Sequence, residues 1–231
     1  VPGAAGPSVR PHPTFGCSAR KAADPAENDD WNRCFWFLRG LEMGFFAMTV
    51  GNRALYIVVC GGGYPADDLP VFVKQAQSTG WDIRVVATPS SLKFIDTGLL
   101  ANLTGHGVRS EYTLVEDDNE ERPVPDAIVV APATFNTVNK FAGGISDTLA
   151  LSLLNETICS GIPIIIGLPP NPTHAKHPAF LANIATLRSW GVQVIFEYED
   201  VVLENVPDIE AWKALFPWQK LLDALEAAKT S

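Results

Sequence analysis

Residues 55–66 read LYIVVCGGGYPA, and the fold follows from this stretch. Residues 55–60 form an unbroken apolar run rich in β-branched side chains, as in a strand buried on both faces. Three glycines follow, and Pro65 stands where the first turn of a helix tolerates it. A helix over about 66–78, closed by Gly80, is expected next. The pattern then repeats. Residues 83–87 (IRVVA), 127–130 (AIVV), 162–166 (IPIII) and 192–196 (VQVIF) read as further strands, with a weaker one at 112–115. Helical text falls between them: a segment opened by Pro89 and Ser90, then 134–142, 147–159 and 177–190, with one or two helices over 209–229. Alternating strands and helices predict an α/β fold: a Rossmann-like, flavodoxin-like doubly wound parallel sheet in three α/β/α layers.

The composition supports a packed domain. Of 231 residues, 47% are hydrophobic and 19% charged, enough apolar surface for a core without staples. The net charge of −9 argues against a phosphate backbone as partner, so no nucleic acid is expected. The cysteines Cys17, Cys34, Cys60 and Cys159 show no C-x-x-C spacing, so neither a zinc site nor a disulfide framework is indicated. A reducing cytoplasm is the expected location, and Cys60 and Cys159 are expected in apolar surroundings. No apolar run reaches membrane-spanning length; residues 34–50 come nearest and are broken by Arg39 and Glu42. The opening VPGAAGPSVRPHP has no basic start leading into an apolar run, so no secretory signal is expected. Residues 1–50 are read as an N-terminal extension. Residues 1–30 lack any period, and the aromatic-rich stretch 31–46 reads as a docked amphipathic helix or as upstream sequence. The second unit is 51–231.

Ligands of such folds bind at the carboxyl ends of the strands, near a topological switch point. Those places hold CGGGYPA after residue 59, TPSS after 87, APATFNT after 130 and GLPPNPTH after 166. The glycine stretch fits G-x-G-x-x-A and could bring backbone N–H groups to a phosphate at a helix start. A dinucleotide would also want a carboxylate at the end of the second strand, where Thr88, Pro89 and Ser90 stand instead, so a mononucleotide or flavin phosphate fits better than NAD. A tight turn with no ligand, and helix capping by Ser or Thr, are the structural alternatives at the first two strand ends. At the third, Thr134 and Asn136 offer donors and acceptors to a planar heterocycle or a carboxylate. Lys140 lies one turn beyond Asn136 on the same side of that helix, where a solvated lysine is the plain alternative.

Residues 130–149 (VAPATFNTVNKFAGGISDTL) resemble the homo-oligomeric FMN-binding cysteine decarboxylase superfamily. That group includes phosphopantothenoylcysteine decarboxylase and the enzymes that decarboxylate C-terminal peptide cysteines. The family's P-A-S-A-N-T is written here as 132–137 (PATFNT), and its G-I-A-D-N-L as 144–149 (GISDTL). Its G-G loop matches Gly62 and Gly63, and its T-x-x-A/S-x-x-F-I matches Thr88, Ser91, Phe94 and Ile95. The resemblance implies FMN held by Gly62, Gly63, Thr88, Ser91, Phe94, Ala131, Thr134 and Asp147. It also implies a homo-oligomer, a trimer or multiple of trimers, and a small-molecule or peptide C-terminal substrate whose carboxylate meets Asn136.

Three features depart from the family. Asp118, in the acidic loop 116–121, stands near the position of the catalytic histidine, and no His occurs between Gly107 and Thr173. The clamp P-x-M-N-x-x-M-W is replaced by 169–178 (PPNPTHAKHP), which brings in His174 and His177. The glycine-rich flap is replaced by 197–205 (EYEDVVLEN). Asn136, Lys140 and His174 are the catalytic candidates for a flavin-dependent oxidative decarboxylation or related redox reaction. The alternative is a flavin-binding or regulatory homologue without catalysis.

Overall fold

A computed structural model describes residues 53–112, 122–169, 171–196 and 208–228. The extension 1–50, most of the expected weak strand at 112–115, the acidic loop with Asp118, and the stretch 197–205 lie outside the described residues. The elements are β1 (Arg53–Val59), α1 (Leu69–Ser78), β2 (Trp81–Ala87), α2 (Thr97–Thr104), β3 (Ala127–Val130), α3 (Phe135–Ala142), α4 (Leu149–Thr157), β4 (Ile164–Gly167), α5 (Pro172–Ala175), α6 (Pro178–Ser189), β5 (Gln193–Ile195), α7 (Ile209–Ala214) and α8 (Trp218–Ala228).

All five strands run parallel in the order β2–β1–β3–β4–β5. The chain winds outward in one direction from β1 to β2 and in the other from β3 to β5, so the switch point lies between β1 and β3. This is the doubly wound sheet expected from the sequence.

Strand alternation sorts the core into two faces. On one, Tyr56, Val58, Cys60, Ile128 and Val130 meet Val138 and Phe141 of α3, Leu151 and Leu154 of α4, and Phe180, Ile184 and Leu187 of α6. On the other, Leu55, Ile57, Val59, Ile83, Val85 and Val129 meet Leu69, Phe72 and Val73 of α1, Leu100 of α2, and Leu221 and Leu225 of α8. Both faces are covered, so the central strands β1, β3 and β4 read as solid apolar runs, whereas the edge strand β2 alternates polar Asp82 and Arg84 with buried Trp81 and Ile83.

Two expected helices are reshaped. The glycine loop leads first into a 3-10 turn, Tyr64–Asp68, and α1 starts only at Leu69. Pro89 and Ser90 lead into a second 3-10 turn, Ser91–Lys93, rather than a helix holding Phe94 and Ile95. The next helix, α2, begins beyond both, where the Asp96 carboxylate accepts from the Leu99 N–H. That side chain supplies the helix start that Ser90, with no capping bond of its own, does not. Cys60 is fully buried as expected, whereas Cys159 is exposed in the turn after α4. Its place beyond the last turn of α4 takes it off the helix face that reaches the core. No helix among the described residues is long and apolar enough to cross a membrane.

The last residue of β4 shows how closely the C-terminal helix packs. A Cβ on Gly167 would lie 2.7 Å from Leu221 Cδ1 and 3.1 Å from Phe216 Cζ. Gly167→Val is therefore expected to destabilise the fold by about 1–3 kcal/mol through overpacking, read as a lower urea midpoint with an unchanged m-value.

Candidate functional site

The loop after β3 is fastened on both sides. The Cys60 N–H donates to the Pro132 carbonyl at 3.2 Å, the Ala131 N–H to Val58 at 3.0 Å, and the Ala133 N–H to Gly167 at 2.8 Å. The Ala131–Pro132 peptide is cis. The chain then enters α3 through Thr134, whose Oγ1 accepts from the Thr137 N–H at 3.2 Å and lies 2.9 Å from the Thr137 hydroxyl. This cap starts the helix where it turns Phe135, Asn136 and Lys140 toward open space.

The glycine loop after β1 approaches this segment closely. A Cβ on Gly62 would lie 2.8 Å from Pro132 Cγ, and one on Gly61 would lie 3.0 Å from Ser90 Oγ. Glycine at Gly62 is thus required by its packing on Pro132, whatever ligand the site takes, and Gly61 sits in a tight contact with Ser90. Gly63, at φ +75°, makes the turn. Because a 3-10 turn follows, the loop does not itself lead into an α-helix N-terminus, and the dipole argument for a phosphate on that helix does not apply.

At the end of β2 the Thr88 N–H donates to Val59 at 2.9 Å, and the Thr88 and Ser90 hydroxyls lie 3.2 Å apart. Ser91 is fully buried, its hydroxyl donating to the Thr88 carbonyl at 2.7 Å. Its role is to hold the turn. At the end of β4, Asn171 caps the short α5 by accepting from the N–H groups of Thr173 and His174. His174 projects from α5 onto the Phe135 ring, with centroids 4.6 Å apart.

These four loops enclose a cavity of about 600 Å³, within the range of small-molecule sites. Hydroxyls of Thr88, Ser90 and Thr134 lie along its walls with Gly61 and Gly62, while Leu151, Leu168, Phe180 and Phe196 supply apolar surface. Asn136, Lys140 and His174 complete the polar lining. An apolar wall combined with a run of hydroxyl donors fits a planar heterocycle bearing a hydroxylated, anionic tail. Among the described residues no His, Cys, Asp or Glu cluster forms a metal site.

The structure therefore brings Gly62, Thr88, Thr134, Asn136, Lys140 and His174 to one cavity. Gly63, Ser91, Phe94, Ala131 and Asp147 lie off its described lining. Phe94 is exposed, and Ala131 is fully buried. Asp147 is exposed and forms an ion pair with Lys140 Nζ, so Lys140 is engaged rather than freely solvated. Of the other histidines, His106 is far from this end: its Nε2 lies 3.0 Å from Asp82 Oδ1, at the amino end of β2. His177 packs edge-on against Phe135 at 5.2 Å, just ahead of α6. Sequence reading passed over Phe135, Asn171, Thr148 and Phe180 as site residues. For Asn171 a signal existed, since Asn followed by Pro is a helix-start signature. The aromatic side chains reach the cavity only through the packing of α3 against α6.

Cys60 lies beneath this floor. Burial pushes its thiol up to about 11, against the opposing hydrogen bonds of the Thr137 side chain and the Thr134 backbone. A raised pKa leaves almost no thiolate at pH 8, and only the thiolate reacts. Iodoacetamide at pH 8 is expected to label Cys159 on the native protein and to spare Cys60 until denaturant is added, as read by peptide mass mapping.

Comparison with known proteins agrees with this geometry. Residues 52–229 match the family model described as Flavoprotein. The coenzyme A biosynthesis bifunctional protein CoaBC of Mycolicibacterium smegmatis is 30% identical over 146 residues, covering 62% of this chain and 34% of the relative. The same protein of Thermococcus kodakarensis is 32% identical over 120 residues, covering 50% of this chain and 30% of the relative. The chain thus spans about a third of the length of these curated relatives. Among solved structures, the FMN-dependent cysteine decarboxylase TvaF from thioviridamide biosynthesis superposes with a TM-score of 0.55 at 26% identity, over 66% of this chain and 95% of that one. HAL3 from Cryptococcus neoformans shares the fold at a TM-score of 0.59 and 21% identity, over 78% of this chain and 98% of that one. The parallel sheet, the cavity at its switch point and a family match over most of the chain lead to one conclusion: this protein belongs to the flavoprotein family.

Proposed function

We propose that the chain binds FMN in the switch-point cavity and catalyses a flavin-dependent, decarboxylase-like reaction on a small-molecule or peptide C-terminal substrate bearing a thiol and a carboxylate. The observation that carries this reading is the convergence of Gly62, Thr88, Thr134, Asn136, Lys140 and His174 on one cavity of about 600 Å³. FMN-dependent cysteine decarboxylases among the structural neighbours support the choice of flavin and of substrate class.

The hydroxyls of Thr88, Ser90 and Thr134 would hold the polar tail of the cofactor, and the apolar wall its ring system. When bound, FMN supplies the capacity to accept two electrons. The Asn136 amide, in the first turn of α3, donates to the substrate carboxylate. Lys140, one turn further along, adds positive charge on the same side, shared with Asp147. His174, on the facing wall, brings an imidazole, a side chain suited to general acid–base work, to the cavity.

We also propose a homo-oligomer, a trimer or a multiple of trimers, in a reducing cytoplasm. The exposed Leu92, Phe94 and Leu99 support burial against another copy. Only a 25.0 kDa species in sedimentation at micromolar concentration would contradict the assembly.

Protein as purified, or reconstituted with FMN, is expected to show stoichiometric flavin absorbance; a spectrum without flavin in both cases removes the cofactor assignment. In a flavin-reduction assay with cysteine-ended peptides and small cysteine-derived acids, Asn136→Ala is expected to lower turnover by about one to two orders of magnitude with flavin still bound. That corresponds to about 1.5–3 kcal/mol for a lost hydrogen bond to a charged group. Lys140→Ala is expected to have the smaller effect, because its charge is already partly offset by Asp147 and screened by water. Bound flavin that no candidate substrate reduces would favour a flavin-binding homologue without catalysis.

A further inference from the structure

The imidazole of His174 belongs to a four-residue helix and is exposed, a setting in which a histidine ordinarily samples several rotamers. Here it meets a row of rings that leads back into the core. Phe135 lies 4.6 Å from His174 with the planes tilted by 32°, and 5.2 Å from Phe180 with a tilt of 30°. Phe180 packs edge-on against Phe196 at 5.7 Å. The inner end is anchored, with Phe180 only 2% exposed and Phe196 8%. All three centroid separations fall in the range that aromatic rings favour. Phe135 is also placed by its backbone, one residue after the Thr134 cap and one before Asn136. The same first turn of α3 therefore sets the Asn136 amide and the ring against which His174 rests.

We propose that Phe135 is a positioning residue: its ring, backed by Phe180, fixes the His174 imidazole at the cavity wall in register with Asn136. The consequence for turnover rests on the function proposed above. A substrate carboxylate held by Asn136 lies on the same first turn as the ring that orients the imidazole. An imidazole held there faces the bound substrate without a search among rotamers. Asn171 supports the arrangement from the other side by capping α5 through the His174 N–H at 3.0 Å.

Two measurements test this on the full chain. The first is the proton NMR spectrum of the imidazole groups, simplified because the chain has four histidines and the His174 signals are assigned by their loss in His174→Gln. With the Phe135 ring overhead, those signals are expected to be displaced by its ring current, to move toward ordinary positions in Phe135→Leu, and to stay displaced in Phe135→Tyr. The second is flavin reduction by substrate. Phe135→Leu is expected to lower kcat by about tenfold to a hundredfold, as for a misplaced catalytic group, with flavin content unchanged, and Phe135→Tyr is expected to restore it. Imidazole signals that are the same in wild type and Phe135→Leu, or an unaltered kcat in Phe135→Leu, would overturn the proposal. Should the protein carry no flavin, the function proposed above fails. The resonance comparison alone then upholds or overturns the positioning role.

Discussion

Everything at the functional end of this molecule hangs on the backbone of residues 131–134, which is hydrogen-bonded to β1 through Val58 and Cys60 and to β4 through Gly167. Adjacent parallel strands that are wound in opposite directions leave a gap between their carboxyl ends. The bond from Cys60 to Pro132 spans that gap, and the bond from Ala133 to Gly167 ties the same loop to β4 on its other side. They hold the Thr134 cap, and with it the first turn of α3, at a fixed height above the sheet. A floor made of main-chain hydrogen bonds tolerates side-chain variation above it, which suits a fold that carries many chemistries.

Close approach is the second constraint. Gly62 lies so near Pro132 that a methyl group would collide with it, and Gly61 packs tightly on Ser90. The three strand ends form one packed unit rather than independent loops. Ser91, buried beneath the Thr88 carbonyl, belongs to this support. The distinction matters for reading family motifs, because a residue can recur in a binding motif for shaping the loop and never touch the ligand. Ser91 and Ala131 are buried off the cavity lining, whereas Thr88 and Thr134 line it.

The polar groups of the cavity are divided between two walls. Asn136 and Lys140 come from α3, with Asp147 paired to the lysine, and His174 comes from α5 across the opening. An ion pair at the rim, half in water, contributes little to stability. It does hold the ammonium near the cavity instead of letting it swing into solvent. The row of rings from Phe196 to His174 links the second wall to the core, so both walls are anchored to the same side of the sheet.

The amino-acid sequence by itself determined the sheet and the place of the site. Buried parallel strands must be apolar on both faces, so residues such as Ile57, Val129 and Ile165 stand out in the text, and the polar, glycine-rich stretches that follow them mark the carboxyl ends. The sequence reading places capping at the wrong strand end: the bonds are made by Thr134 and Asn171, each directly ahead of a helix, and not by Ser90. What the tertiary structure decided was which side chains share the cavity. Ser91 and Thr88 are three residues apart and look alike in sequence. Only the turn over 88–91, closed by the Ser91 N–H on the Thr88 carbonyl, buries the Ser91 hydroxyl against that carbonyl and leaves Thr88 on the cavity lining. His174 and Phe135 are separated by a whole strand and helix, and no local rule pairs them. Their contact exists because α6 packs on α3 over the sheet, a long-range arrangement set by the burial of apolar surface rather than by any neighbour along the chain.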